Sequence, residues 1–182
     1  DGKPFFNREL SWLEFNRRVL EEATDDSLPV LERLKFLCIF ATNLDEFFMI
    51  RVSGLKEQVA EGVGELSPDG MTAKEQIEEI YKRLRPMLKK LVSYLGENVF
   101  PALEKEGITV EAYSSLNAKE KKILDKYFHN NLFPILTPQS VDSSHPFPYI
   151  SNLRLNIGLF IEPNPAATQK NLRHLFRQKR FA

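Results

Sequence analysis

The chain has 182 residues, 42% of them hydrophobic, and its 25 Lys and Arg are balanced by 25 Asp and Glu. That composition suits a real core, in one ordinary domain or in one small domain plus part of another. Zero net charge argues against a general nucleic-acid binder, which needs a basic excess, and a single cysteine, Cys38, excludes an intrachain disulfide.

Ser11 followed by Glu14 reads as a capping box, opening a first helix that runs to about Ala23. Thr24-Asp25-Asp26-Ser27 reads as a turn, and Pro29 suits the first turn of the next helix. Leu31, Leu34, Leu37, Cys38, Phe40, Leu44, Phe47, Phe48, Val52, Leu55 and Val59 recur at the threes and fours of an amphipathic helix. That helix should stop at Ala60 or Glu61, before Gly62 and Gly64. Cys38 is expected to be a buried, inert thiol within it. Thr72 with Glu75 forms a second capping box, and Ile77, Ile80, Tyr81, Leu84, Leu88, Leu91, Leu95 and Val99 make one stripe of a third helix. Pro86 inside it predicts a kink or a break. Three helices with short connections pack naturally as an antiparallel bundle.

Around Gly107 the character changes. Ile108-Thr109-Val110 is β-branched, and Asn117 with Glu120 opens a further helix to about Asn130 or Asn131. Pro134, Pro138, Pro146 and Pro148 then favour a constrained loop. Leu153 to Ile161 alternates like a half-buried strand, which cannot stabilise itself without partners. The predicted fold is therefore mainly α: a helical bundle over residues 1–106, then an incomplete α/β or α+β domain over 107–182.

Obvious catalytic signatures are missing. There is no glycine-rich phosphate loop and no dinucleotide fingerprint. His129, His145 and His174 lack metal spacing, read as structural or solvated, and give no metal site. Asp45 and Glu46 diverge by about 100° on a helix and cannot be an acid/base pair. Neither stands three or four residues from Arg51, so each should pair with another helix or face water. Asn43 has two readings: its amide can pair with an adenine edge, or it can bond across helices. Lys170, Arg173, Arg177, Lys179 and Arg180 form a basic cluster, either a solvated surface or a polyanion contact. No apolar run approaches the roughly 20 residues of a membrane span, and the opening Asp-Gly-Lys-Pro is no signal peptide. A cytoplasmic protein is expected, with any membrane contact made peripherally, through partners.

Three sets of motifs carry a family resemblance. The stretch Phe6-Asn7-Arg8-Glu9-Leu10-Ser11-Trp12-Leu13-Glu14-Phe15-Asn16, continuing to Ala23, resembles the start of bacterial polyphosphate kinase of the phosphohistidine type. Asn43-Leu44-Asp45-Glu46-Phe47 resembles its second helix. Ile135-Leu136-Thr137-Pro138, Val141-Asp142, His145-Pro146-Phe147-Pro148 and Ile150-Ser151-Asn152 resemble the opening of its head domain. The match covers nearly the whole chain in register and weakens over 163–178; Ile50 stands where Val is common. The resemblance implies reversible transfer of the ATP γ-phosphate to polyphosphate, with Mg2+, through a histidine outside this chain. No catalytic residue is therefore assigned here, and the fragment alone is expected to be inactive. The resemblance also implies that Asn43 helps bind the ATP base and that the head domain pairs two copies into a homodimer. A different class of function, a freestanding helical interaction or dimerisation module without catalysis, would instead show a defined partner.

Overall fold

The computed structural model describes residues 5–142 and 144–160. Contacts gather the chain into two units, Asp1–Val110 and Glu111–Ala182. The first unit is a helical bundle. Its first helix, α1 (Arg8–Glu22), starts at Asn7, whose side-chain oxygen accepts from the amides of Glu9 and Leu10. Two orphan donors of the helix start are thereby satisfied. The expected Ser11–Glu14 box is not the cap. Ser11 N–H already bonds the Asn7 carbonyl at 2.9 Å, so it lies inside the helix and needs no cap.

The second rod is α2 (Val30–Glu46), a π-helical turn (Phe47–Val52) and α3 (Ser53–Ala60) in direct succession. Gly62 ends it in the left-handed conformation, φ 70°, which glycine adopts without a Cβ penalty. The third rod begins at the expected Thr72–Glu75 box, with both arms made. It comprises α4 (Ala73–Tyr94), a second π turn (Leu95–Val99) and α5 (Phe100–Lys105). Pro86 lies within α4 without breaking it. Pro101 is a different case: its ring would crowd the carbonyl of Glu97, four residues back, and Glu97 sits in the wide turn. Thr72→Ala is expected to destabilise the bundle by about 1 kcal/mol, read as a lower urea midpoint at an unchanged slope.

Cross-helix contacts give the directions. Along α1, Glu9 meets Arg51 while Asn16 meets Asn43 and Phe40, so α1 and the second rod run antiparallel. Asn7 meets Gln76 and Glu14 meets Arg83, so α1 and α4 run parallel. Arg33 meets Tyr94 and Phe48 meets Tyr81, so the second rod is antiparallel to α4 as well. Leu13, Leu20, Phe40, Phe47, Val52, Ile80 and Val99 lie at the centre, all essentially without solvent exposure. Cys38 is exposed, contrary to expectation. Leu37, Phe40 and Leu44 take the core face of α2, and one residue past Leu37 the helix has turned by about 100°. Leu31, Val59 and Leu88 are likewise outside the core.

The second unit has a 3-10 turn (Tyr113–Ser115) and then a full Asn117–Glu120 capping box on α6 (Ala118–Tyr127). A π turn (Phe128–Leu132) and a 3-10 turn (Phe133–Ile135) follow. Pro134 stands four residues after Asn130 of that wide turn, as Pro101 does after Glu97. From there the proline-rich segment is irregular, as predicted, with one isolated bridge between Asp142 and His145. The expected strand over 153–161 is not formed among the described residues. Leu153 occupies a left-handed turn conformation, φ 58°, and Leu155, Ile157 and Leu159 are exposed, with no partner strand among the described residues to cover them. No described residue of this unit is buried. The 170–180 basic cluster, His174 and Ile161 lie outside the described residues.

Candidate functional site

Where α1 crosses the end of α2, a cleft of about 150 Å³ opens. Trp12 and Phe15 line it from α1, Asn43 and Glu46 from α2, and Phe47, Ile50 and Arg51 from the wide turn. Its shape rests on aromatic packing. Trp12 stacks on Phe47 with centroids 4.4 Å apart and planes within 3°. Phe47 meets the edge of Phe48, and Phe48 meets Tyr81 of α4, so the wall is tied into the core. A broader depression along α1 and α4 is rimmed by Glu14, Arg17 and Arg83, but those charges already pair with one another or with Glu21 and Glu79.

Asn43 is half-buried at the cleft and bonds across helices. Its Nδ2 donates to Asn16 Oδ1 at 2.9 Å. Asn16, fully buried, donates in turn from its own Nδ2 to the Phe40 carbonyl at 3.1 Å. Arg51 lines the same cleft from the wide turn. Its Nη1 lies 3.3 Å from Oε1 of Glu9, which also takes Arg8 at 3.1 Å. Glu9 is buried in the first turn of α1, where the helix dipole favours an anion. Its second oxygen, Oε2, is buried without a partner. Asp45 and Glu46 are exposed, and neither enters an ion pair among the described residues; both face water.

Sequence reasoning singled out Asn43 but missed Trp12, Asn16 and Arg51 as its neighbours. The available signal was the spacing of Trp12 and Asn16, four apart and therefore on one face of α1. The two described histidines belong to the second unit. His129 Nδ1 lies 2.8 Å from the Asp125 carbonyl. His145 Nδ1 lies 2.9 Å from both Asp142 oxygens. That ring contact, with the Ser144 amide, holds the Asp142 carboxyl below its ordinary range. No group of three or more His, Cys, Asp or Glu is gathered for a metal among the described residues. Nor is any described helix long and apolar enough to cross a membrane.

The family described as "Polyphosphate kinase N-terminal domain" matches residues 5–111, and the one described as "Polyphosphate kinase middle domain" matches 119–177. A polyphosphate kinase of Synechocystis is 51% identical over 161 residues, 88% of this chain and 22% of that protein. One of Streptomyces coelicolor is 47% identical over 175 residues, 96% of this chain and 23% of that protein. The crystal structure of polyphosphate kinase from Porphyromonas gingivalis aligns at a TM-score of 0.52 and 33% identity, over 79% of this chain and 20% of that one. The chain thus spans between a fifth and a quarter of the length of the relatives it matches.

Proposed function

The chain belongs to the polyphosphate kinase family, and we propose that its helical unit holds the adenine end of ATP in a kinase that moves the γ-phosphate reversibly onto polyphosphate. The transfer would run through a phosphohistidine on another part of the polypeptide, with Mg2+ held there too. Residues 1–106 act as the N-terminal helical domain, and 107–182 as the beginning of the head domain, which contributes homodimer contacts. The enzyme works in the cytoplasm, and any association with a membrane is peripheral.

The observation that carries this reading is Asn43. Its amide stands at a cleft walled by Trp12, Phe15, Phe47 and Ile50, in the motif that resembles the family's base-binding helix. A cleft with aromatic walls and an amide at its edge, beside the charged Glu46 and Arg51, suits a flat heterocycle that needs both a donor and an acceptor. Arg51, half-exposed at the same cleft, adds a cation for an anionic group of the nucleotide. The role is positioning: gripping the base aligns the far phosphate with a distant nucleophile.

Asn43→Ala in the full-length kinase tests this. The ATP KM should rise about tenfold with kcat nearly unchanged, as loss of uniform binding requires. An unchanged KM would remove Asn43 from the site.

A further inference from the structure

An asparagine amide can face a ligand in either of two orientations, and the two read opposite hydrogen-bonding patterns. Here the choice is made by the network behind it. The chain starts at the Phe40 carbonyl, a backbone oxygen that can only accept. Asn16 lies 3.1 Å from it and must present its NH2 group there. Its Oδ1 therefore faces Asn43, and an oxygen facing Asn43 can only accept. Asn43 must donate, and does, at 2.9 Å. That contact uses one of the two N–H groups of Asn43. Its Oδ1 and its second N–H remain, at the edge of the Trp12–Phe47 cleft.

We propose that Asn16 is a positioning residue that sets the nucleotide preference of the cleft. By holding the Asn43 amide in one orientation, it makes the site select adenine over guanine. This rests on the assignment of the base to Asn43. Adenine offers an N6 donor beside an N7 acceptor, which matches a free Oδ1 and N–H. Guanine offers O6 and N7, both acceptors, so its O6 would meet the Asn43 oxygen. Full burial of Asn16 keeps water from replacing either of its bonds, so the Asn43 amide cannot turn over without leaving a buried polar group unpaired.

The test compares ATP with GTP as phosphate donors in the full-length kinase, by the ratio of their kcat/KM values. That ratio is independent of how much of a variant is folded, because both nucleotides meet the same molecules. The native enzyme should favour ATP by about tenfold or more. It should also use N6,N6-dimethyl-ATP, which lacks the N6 donors, no better than GTP. Asn16→Ala should remove most of the preference, with Asn16→Ser as the milder second variant. In an Asn43→Ala background, Asn16→Ala should change the ratio no further. A native enzyme indifferent to the base, or one accepting the dimethylated nucleotide as well as ATP, overturns the proposal without any variant. A ratio unmoved by Asn16→Ala but lost in Asn43→Ala overturns the relay and leaves the base site standing. An ATP KM and ratio both untouched by Asn43→Ala would remove the base site, and the relay with it.

Discussion

Phe47→Ala is expected to lower the unfolding free energy of the helical unit by about 3–5 kcal/mol. Phe47 is 2% exposed and among the largest side chains in the core. It touches two aromatic neighbours, Trp12 face to face and Phe48 edge to face. Truncation removes the ring's own burial and both of those contacts. It also opens a void at the junction of α1 and the wide turn, where relaxation is limited because α4 backs the same residues through Phe48 and Tyr81. Urea unfolding followed by circular dichroism gives the free energy. Fluorescence gives the location, since Trp12 is the one tryptophan of the chain and its emission should shift to the red as its cover is lost. A loss under about 1 kcal/mol would mean that the stacked pair does not hold the bundle together. Phe47→Leu, which keeps more of the volume, should cost clearly less.

A second substitution changes almost no volume and should still do severe damage, at one end of the pH scale only. Asn16→Asp puts a carboxyl where Asn16 donates to the Phe40 carbonyl. Ionised, it would face that oxygen with nothing to donate, in a site with no solvent exposure. Burial and the facing oxygen both push its pKa up in the folded protein. Protonated, the group can donate to Phe40 and still accept from Asn43, restoring the original pattern. The folded state therefore binds a proton that the unfolded state has released, and the variant loses stability as pH rises from the ordinary carboxylate range. Relative to the parent, the deficit should reach about 3–4 kcal/mol at pH 7 and shrink to under about 1 kcal/mol near pH 4. Parallel denaturation of variant and parent at the two pH values checks this. An equal deficit at both would show that the Phe40 carbonyl is not what Asn16 answers.

The parts of this fold that could be read from the sequence are the parts decided within a few residues. The Thr72–Glu75 and Asn117–Glu120 boxes are local exchanges between a side chain and the next turn, and both are made. Gly62 and Gly107 mark helix ends because their backbone needs a positive φ. The start of α1 was misread because Ser11 and Glu14 satisfy the same local rule without being at a helix end. Asn7 takes the cap, with further bonds to Asp69 and Gln76 that no local window contains. Cys38 was misplaced because one helical step separates it from the core face, and its apolar neighbours hide that difference. At the cleft, Asn43 was recognisable by resemblance, but its orientation depends on Asn16 and Phe40, and the fixing of Arg51 depends on Glu9. Those pairings exist only once α1 lies antiparallel to α2.

Of the three wide turns among the described residues, two precede a proline by the distance at which its ring would strike a carbonyl. The turn at Phe47–Val52 has no such neighbour, and its origin is one of phase. Phe47 and Val52 are both buried and five residues apart. In an ordinary α-helix five residues rotate by about 500°, leaving the second side chain about 140° out of line with the first. The looser winding absorbs that excess, so α2 keeps its face toward α1 while α3 keeps its own toward α4. Winding the same residues as a regular α-helix, with none removed, would carry the segment too far round. Everything beyond it would then rotate by about 100°, turning Leu55 away from the core. Chemical changes here, Ile50 to valine for example, alter a surface. A change of winding alters which surfaces meet, so the extra residue between Phe47 and Val52 and the wide turn that takes it up constrain each other more strictly than residue identity does.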